Sequence, residues 1–201
     1  ERHTFQRELY ELVSSYVSTT YDKAKRNRKK NMCLIFLLII MQRMVTSSTA
    51  AIRQSLERRL NVLLEQRTCV GNLREEDLDE LNIEDGVEDA LEAISLDMEL
   101  EIEELKQIIS LAKQAQFQNQ DAKVELLLNE IDAILSEDRT QKVIIFTEFV
   151  ATQTYLQELL VNRGYTVTIL NGGMSIDERN AAMQEFKAST SIFISTDAGG
   201  E

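Results

Sequence analysis

The sequence predicts an α-rich α/β protein, helical over roughly residues 1–138 and turning into the first part of a parallel sheet over 139–201. Three observations carry this. The C-terminal stretch holds three short apolar runs, Lys142–Phe149 (KVIIFTEF), Tyr165–Gly173 (YTVTILNGG) and Ser191–Glu201 (SIFISTDAGGE), each closing on a polar or glycine-bearing corner. Two helical patterns separate them, with apolar residues at Val150, Tyr155, Leu156, Leu159 and Leu160, then at Ala181, Met183 and Phe186. Alternating strands and helices are the grammar of a parallel sheet, whose ligands gather at the carboxyl ends of the strands. Upstream, apolar residues recur at steps of three and four, and the chain contains no Pro at all, so long helices run uninterrupted.

Taken in order, residues 4–20 form an amphipathic helix with Phe5, Leu9, Tyr10, Leu12, Val13, Tyr16 and Val17 on one face. The cluster Lys23–Lys30 (KAKRNRKK) breaks that pattern. A second helix follows through about Val45. Its run Met32–Met41 is only about half the ~20 apolar residues a membrane span needs, so it reads as a helix buried on nearly all sides. Thr46, Ser47 and Ser48 are natural N-cap residues for a third helix carrying Ile52, Leu56, Leu60 and Leu63. The chain breaks at Gly71-Asn72, and residues 73–85 are too charged to fold unaided, giving a solvated loop or a frayed helix. From Gly86 a long helix carries Val87, Leu91, Ile94, Met98, Ile102, Leu105, Ile109 and Ala112 along one seam. Its acidic residues make either a solvated face or a docking surface for a basic partner or for the chain's own basic start. Asp121–Leu128 begins a last helix before the sheet, ending near Leu135. The organisation is thus 1–70, a basic helical region; 71–138, an acidic long helix with the helix leading into the sheet; and 139–201, the sheet unit.

At 201 residues and 43% hydrophobic the chain supports one or two domains with a real core. Its net charge of −12 is unevenly spread. Residues 1–70 carry 13 basic and 6 acidic groups (+7), 71–140 carry 5 and 21 (−16), and 141–201 carry 4 and 7 (−3). A uniformly acidic chain would be a poor nucleic-acid binder; an acidic middle behind a basic start is compatible with one. Cys33, Cys69 and the single His3 cannot make a four-ligand zinc site, and two cysteines make no disulfide framework. They read as buried, reduced thiols.

The strings KVIIFTEF, TILNGGMSIDER and IFISTDAGGE, with Phe186 between the last two, resemble in this order the second RecA-like lobe of superfamily-two helicases and translocases. The likeness is strongest to the Swi/Snf-type double-stranded DNA translocases and their bacterial RapA-like relatives, the first string resembling motif IV and the last motif V. Asp121-x-Lys123 before a leucine-rich helix is similar to the same family, and Arg43–Arg59 (RMVTSSTAAIRQSLERR) to a segment of its bacterial branch. The acidic stretch 71–112 has no counterpart. The resemblance implies that Thr147 and Thr196 hydrogen-bond the phosphates of the tracked strand, the alternative for Thr196 being a buried hydroxyl that satisfies its own strand end. It implies that Asn171, Gly172 and Gly173 form a turn whose amides add a contact, with Ser175 capping the next helix. Arg179 touches DNA or pairs with an acid. Gly199, Gly200 and Glu201 face the ATP cleft between lobes, and Asp197 hydrogen-bonds locally. The basic cluster 23–30 supplies phosphate contacts or is a solubilising turn.

By the same resemblance the chain is a piece of a longer ATP-dependent DNA motor. It has no G-x-x-x-x-G-K-[ST] run and no metal-binding pattern, it stops within motif V at Glu201, and the arginine-bearing motif VI is not in it. No residue of this chain is implied to be catalytic; ATP and Mg belong to the parent protein, and alone the chain is expected to be inactive. Its implied partners are double-stranded DNA through the phosphate backbone, the first RecA-like lobe in cis and a further protein, with no membrane, in a bacterial cytoplasm and on the nucleoid when DNA-bound. The resemblance also implies a further strand between the motif IV and motif V strands, whose loss would leave Val143, Ile145, Ile192 and Ile194 poorly covered. A reading of another class remains: a helical scaffold or regulatory module that binds a partner through the acidic helix at 86–116.

Overall fold

The computed structural model describes residues 4–26, 31–71, 87–117 and 121–196, with side chains for all of these except 67–71, 87–96 and 117. The elements are α1 (Thr4–Lys25), α2 (Met32–Ser47), α3 (Thr49–Gly71), α4 (Val87–Phe117), α5 (Ala122–Glu137), β1 (Val143–Thr147), α6 (Val150–Asn162), β2 (Val167–Leu170), α7 (Ile176–Ala188) and β3 (Ile192–Thr196). Helices followed by a small parallel sheet are the class the sequence predicts. The acidic segment 73–85, Lys29 and Lys30 of the basic cluster, and Asp197 to Glu201 lie outside the described residues.

Two cores form. The first joins Leu9, Val13 and Tyr16 of α1, Leu38, Met41 and Val45 of α2, Ile52, Leu56 and Leu63 of α3, and Ile102, Leu105, Ile109 and Ala112 of α4. Three- and four-residue spacing puts each set on one helical face. The second joins Val124, Leu128, Ile131 and Leu135 of α5 to Ile145, Leu156, Leu160, Ile192 and Ile194. The interval 71–138 therefore spans members of both cores, α4 in the first and α5 in the second.

The acidic helix α4 docks partly on the basic start of the chain. Lys23 Nζ lies 2.7 Å from Asp97, and Arg59 donates from Nε and Nη2 to Glu101 at 2.9 and 3.1 Å. Glu101 also accepts the Tyr16 hydroxyl at 2.7 Å. Burial pushes that phenol well above the usual tyrosine range; the Glu101 charge and hydrogen bond add to the shift, and Arg59 opposes it.

Helix α2 departs from expectation. Ile35, Leu38, Met41 and Val45 are buried, but Met32, Phe36 and Ile39 are 55%, 64% and 52% exposed. α2 and α4 both pack on α1 and α3, so α2 is an edge of the bundle and buries one face, not all. Cys33 sits on its open face and is exposed, correcting the expectation of a buried thiol; the Cys69 side chain lies outside those described.

The three strands are parallel in the order β1-β3-β2. β1 pairs with β3 at every position from Val143↔Ile192 to Thr147↔Thr196, which corrects the expectation of a gap between these two strands. Ile145, Ile192 and Ile194 are buried because α5 and α6 cover that face. The uncovered residues are instead their alternates on β1, Ile144 and Phe146, at 52% and 69% exposure. Successive side chains of a strand point to opposite faces, and this face of β1 carries no helix. α7 covers the same face further along, where Phe186 meets Phe193 at 4.9 Å between ring centroids and Lys142 Nζ stands 5.0 Å over the Phe186 ring. Val150 and Met183, expected on apolar faces, are largely exposed. Just past the Arg163 cap of α6 comes Gly164, whose φ of +87° a residue with a Cβ would adopt only under strain.

The two cores meet at Asp121. Its Oδ2 accepts from Thr49 N at 2.9 Å and from Thr49 Oγ1 at 3.2 Å, and its Oδ1 accepts from Val124 N at 3.3 Å. Gln6 of α1 completes the junction, its Oε1 accepting from Ala122 N at 2.9 Å and its Nε2 reaching Asp121 Oδ1 at 3.4 Å. Beside it, Ser48 Oγ caps Ala51 N at 3.1 Å and meets Thr152 Oγ1 at 2.8 Å. Asp121→Ala strips acceptors from the starts of both α3 and α5 at a buried position. It should lower stability by about 2–4 kcal/mol, read as a drop in urea midpoint, whereas Glu158→Ala at an exposed position of α6 should change it little. Equal midpoints for the two variants would remove Asp121 from its central place.

Candidate functional site

The sheet brings the predicted residues together at its carboxyl end. Thr147 and Thr196 are register partners on β1 and β3, and Leu170↔Ser195 puts Asn171 at the corresponding end of β2. With neighbouring strands about 4.8 Å apart, this is a row roughly 10 Å across.

Each corner has its own chemistry. Thr147 is half-buried, and its Oγ1 receives a long 3.5 Å contact from Phe149 N, just before α6 begins without a side-chain cap. Thr196 is 3% exposed, and its Oγ1 has no hydrogen-bond partner among the described residues. The hydroxyl is buried, but it does not satisfy its own strand end. An unpaired buried polar group costs on the order of 1–3 kcal/mol, which singles this atom out within the row.

The β2–α7 corner is more tightly built. Asn171 Oδ1 accepts from Gly173 N at 3.1 Å, closing the turn, while its Nδ2 donates to Gln153 Oε1 at 3.0 Å. Arg179 is half-buried and donates from Nε to Met174 O at 3.1 Å and from Nη2 to Gly172 O at 3.3 Å. It therefore braces the turn through carbonyls rather than pairing with an acid. Gly172 and Gly173 are exposed. Ser175 caps α7 in a capping box: its Oγ accepts from Glu178 N at 3.3 Å, and Glu178 accepts from Ser175 N and Oγ at 2.7 and 2.8 Å. These hydrogen bonds from the Ser175 amide and hydroxyl hold the Glu178 carboxyl below its ordinary range.

Sequence reasoning missed Gln153. It is fully buried, and its Nε2 donates to Leu170 O at 2.9 Å and to Ile194 O at 2.8 Å. One amide thus ties β2 to β3 and holds Asn171. A signal existed, since Gln153 occupies the same helical stripe as Leu156 and Leu160, where a polar side chain needs buried partners. Also missed were Arg43 and Lys123, which the fold brings beside Thr147 in a groove of about 420 Å³. Gly199, Gly200 and Glu201 lie outside the described residues. Among the described residues no cluster of three or more His, Cys, Asp or Glu side chains could hold a metal ion, and no helix is long and apolar enough to cross a membrane.

Gln153→Leu should leave the carbonyls of Leu170 and Ile194 unpaired and free the Asn171 side chain. Exchange of the Gly173 amide should quicken by about tenfold, the effect of losing roughly 1.4 kcal/mol of local protection. Exchange in the first core should not change. An unaltered Gly173 rate would mean that the turn stands without this amide.

Residues 122–201 match the helicase conserved C-terminal domain. A stretch of 83 residues is 36% identical to the uncharacterized ATP-dependent helicase YqhH of Bacillus subtilis (strain 168), covering 41% of this chain and 14% of that protein. Among solved structures, the Hef helicase domain of Pyrococcus furiosus superposes with a TM-score of 0.49 at 16% identity, covering 98% of this chain and 43% of that one. The C-terminal part of the Fun30 ATPase domain gives 0.44 at 15% identity, covering 96% and 65%.

Proposed function

We propose that residues 122–201 serve as part of the second motor lobe of an ATP-dependent helicase or translocase of the Swi/Snf type, RapA-like, and that the strand-end row grips the phosphate backbone of double-stranded DNA. The observation that carries the proposal is the row itself: Thr147, Thr196 and the Asn171–Gly173 turn stand side by side at the carboxyl end of one parallel sheet, inside the segment that matches the helicase C-terminal domain. Hydroxyls and backbone amides suit a motor that moves along DNA, because they bind phosphate oxygens without reading bases. Arg179 and Gln153 are positioning residues in this scheme. They hold the turn so that the Gly172–Gly173 backbone faces outward.

ATP and Mg belong to the whole protein, where hydrolysis supplies the energy for movement; the resemblance assigns Gly199, Gly200 and Glu201 to the nucleotide cleft shared with a first lobe in cis. The scaffold reading, in which α4 binds a partner through its acids, draws less support, since Asp97 and Glu101 are engaged within the chain by Lys23 and Arg59.

Duplex binding by this chain should be weak, indifferent to sequence and lost by moderate salt, because few phosphates are contacted by an acidic protein. Thr147→Ala and Thr196→Val should each weaken it by about three- to tenfold, with the fold intact by circular dichroism. ATP hydrolysis should stay at background. Base-specific, salt-insensitive binding, or an ATPase activity that co-purifies with the chain, would overturn the proposal.

A further inference from the structure

The groove beside Thr147 is not built by the sheet unit alone. It is lined by Arg43, Thr46 and Ser47 from the end of α2, by Lys123 from the first turn of α5, and by Thr147 and Glu148 from the end of β1. Residues 80 positions apart are brought to one wall here. Ser47 Oγ reaches Thr152 Oγ1 at 3.1 Å, so hydroxyls stitch the end of α2 to the start of α6. Arg43, Lys123 and Thr147 all line this one groove of about 420 Å³. Lys123 is exposed and makes no ion pair with any described residue. Arg43 pairs through Nη2 with Glu148, the residue that directly follows Thr147.

We infer that Arg43 and Lys123 extend the Thr147 contact into a phosphate-binding groove for a nucleic-acid backbone, and that Glu148 is a built-in competitor that holds Arg43 in place until a phosphate displaces it. The inference rests on the proposed backbone grip and adds to it a contribution from the helical unit. The chemistry favours exchange. An exposed Arg–Glu pair is weak and screened by salt, whereas a guanidinium can bind a phosphodiester through two parallel N–H donors. Lys123 adds a point charge beside the Thr147 hydroxyl. The groove is therefore basic in its side chains although the chain as a whole carries −12. Because its walls come from both units, the groove exists only while α2 and α5 keep their places against β1. Binding there would read out the packing of the helical unit on the sheet.

The signs of three substitutions separate this from a structural ion pair. Affinity for a labelled DNA duplex would be measured by fluorescence anisotropy at several salt concentrations, using this chain with each variant checked by circular dichroism and urea midpoint. Arg43→Ala and Lys123→Ala should each weaken binding about three- to tenfold and reduce the log–log salt slope by about 0.9 for each phosphate lost. Glu148→Gln breaks the same pair as Arg43→Ala but should tighten binding, by about two- to fivefold, because the competitor is removed and Arg43 is released. If Glu148→Gln weakens binding as Arg43→Ala does, the pair is structural and the inference fails. If Arg43→Ala and Lys123→Ala bind like the unaltered chain while Thr147→Ala does not, the groove is no phosphate site and the strand-end grip stands without it. If none of these variants differs from the unaltered chain, both readings fall. Displacement of the labelled duplex by ATP at lower phosphate concentration than by unlabelled duplex would assign the groove to nucleotide phosphates and overturn the backbone assignment.

Discussion

Two helices of this chain begin on one buried carboxylate. Asp121 is almost wholly removed from solvent, and its oxygens accept from the first amide of α3, from the third amide of α5 and from the Thr49 hydroxyl. A lone buried carboxylate would cost several kcal/mol, and it is tolerated where amide dipoles and hydrogen bonds replace the lost water. Two helix N-termini aimed at the same group provide this, since each presents partial positive charge and unpaired N–H groups. The arrangement constrains the molecule strongly. α3 belongs to the helical core and α5 to the sheet core, so the carboxylate fixes how one core sits on the other. Nearby, Tyr155 is half-buried; burial lifts its phenol above the ordinary range, the Asp121 charge adds to this, and the Thr49 hydrogen bond and Arg53 charge oppose it.

A second constraint lies a few residues away. Only Ser48 separates α2 from α3, in an extended conformation with φ −160° and ψ 154°. A one-residue link leaves little freedom in the angle between the two helices, and the Ser48 hydroxyl is used both to cap α3 and to meet Thr152 of α6. The end of α2, with Arg43, is thereby pinned beside the end of β1. The groove is a by-product of helix-end satisfaction: the same polar residues that settle the amides of α3 carry a guanidinium to the strand-end row.

Charge follows the same local logic. Net charge is a guide to solubility and to long-range steering, not to what a given surface binds. The acidic helix α4 spends part of its charge on Lys23 and Arg59 of the basic start. The strand ends present hydroxyls, amides and two basic side chains. A groove that sets Arg43 and Lys123 against the one carboxylate of Glu148 shows how an acidic chain carries a locally basic surface.

Much of this was legible in the residues. Helical steps of three and four gave the α3 seam, the described part of the α4 seam and Leu9, Val13 and Tyr16 of α1, because a helical face repeats with that period whatever it packs against, although Tyr10 and Leu12, expected on the same α1 face, are exposed. Short apolar runs closing on polar or glycine-bearing corners gave three parallel strands and located the candidate site at their ends. Ser175 caps the next helix as the resemblance implied, and the structure adds the reciprocal bond to Glu178 that makes it a capping box. What local pattern leaves open is which elements become neighbours. Met32, Phe36 and Ile39 are apolar in sequence yet face solvent, because α2 is an edge of the bundle and periodicity does not say how many faces a neighbour will cover. Direct pairing of β1 with β3 followed from how strands align in space, since the strand order of a parallel sheet is set by crossovers and not by strand composition. Gln153, Asp121 and Arg43 gained their roles only from tertiary structure. A polar side chain takes its meaning from the groups it meets, and here those groups come from α1, α3, β1, β2 and β3, far along the chain.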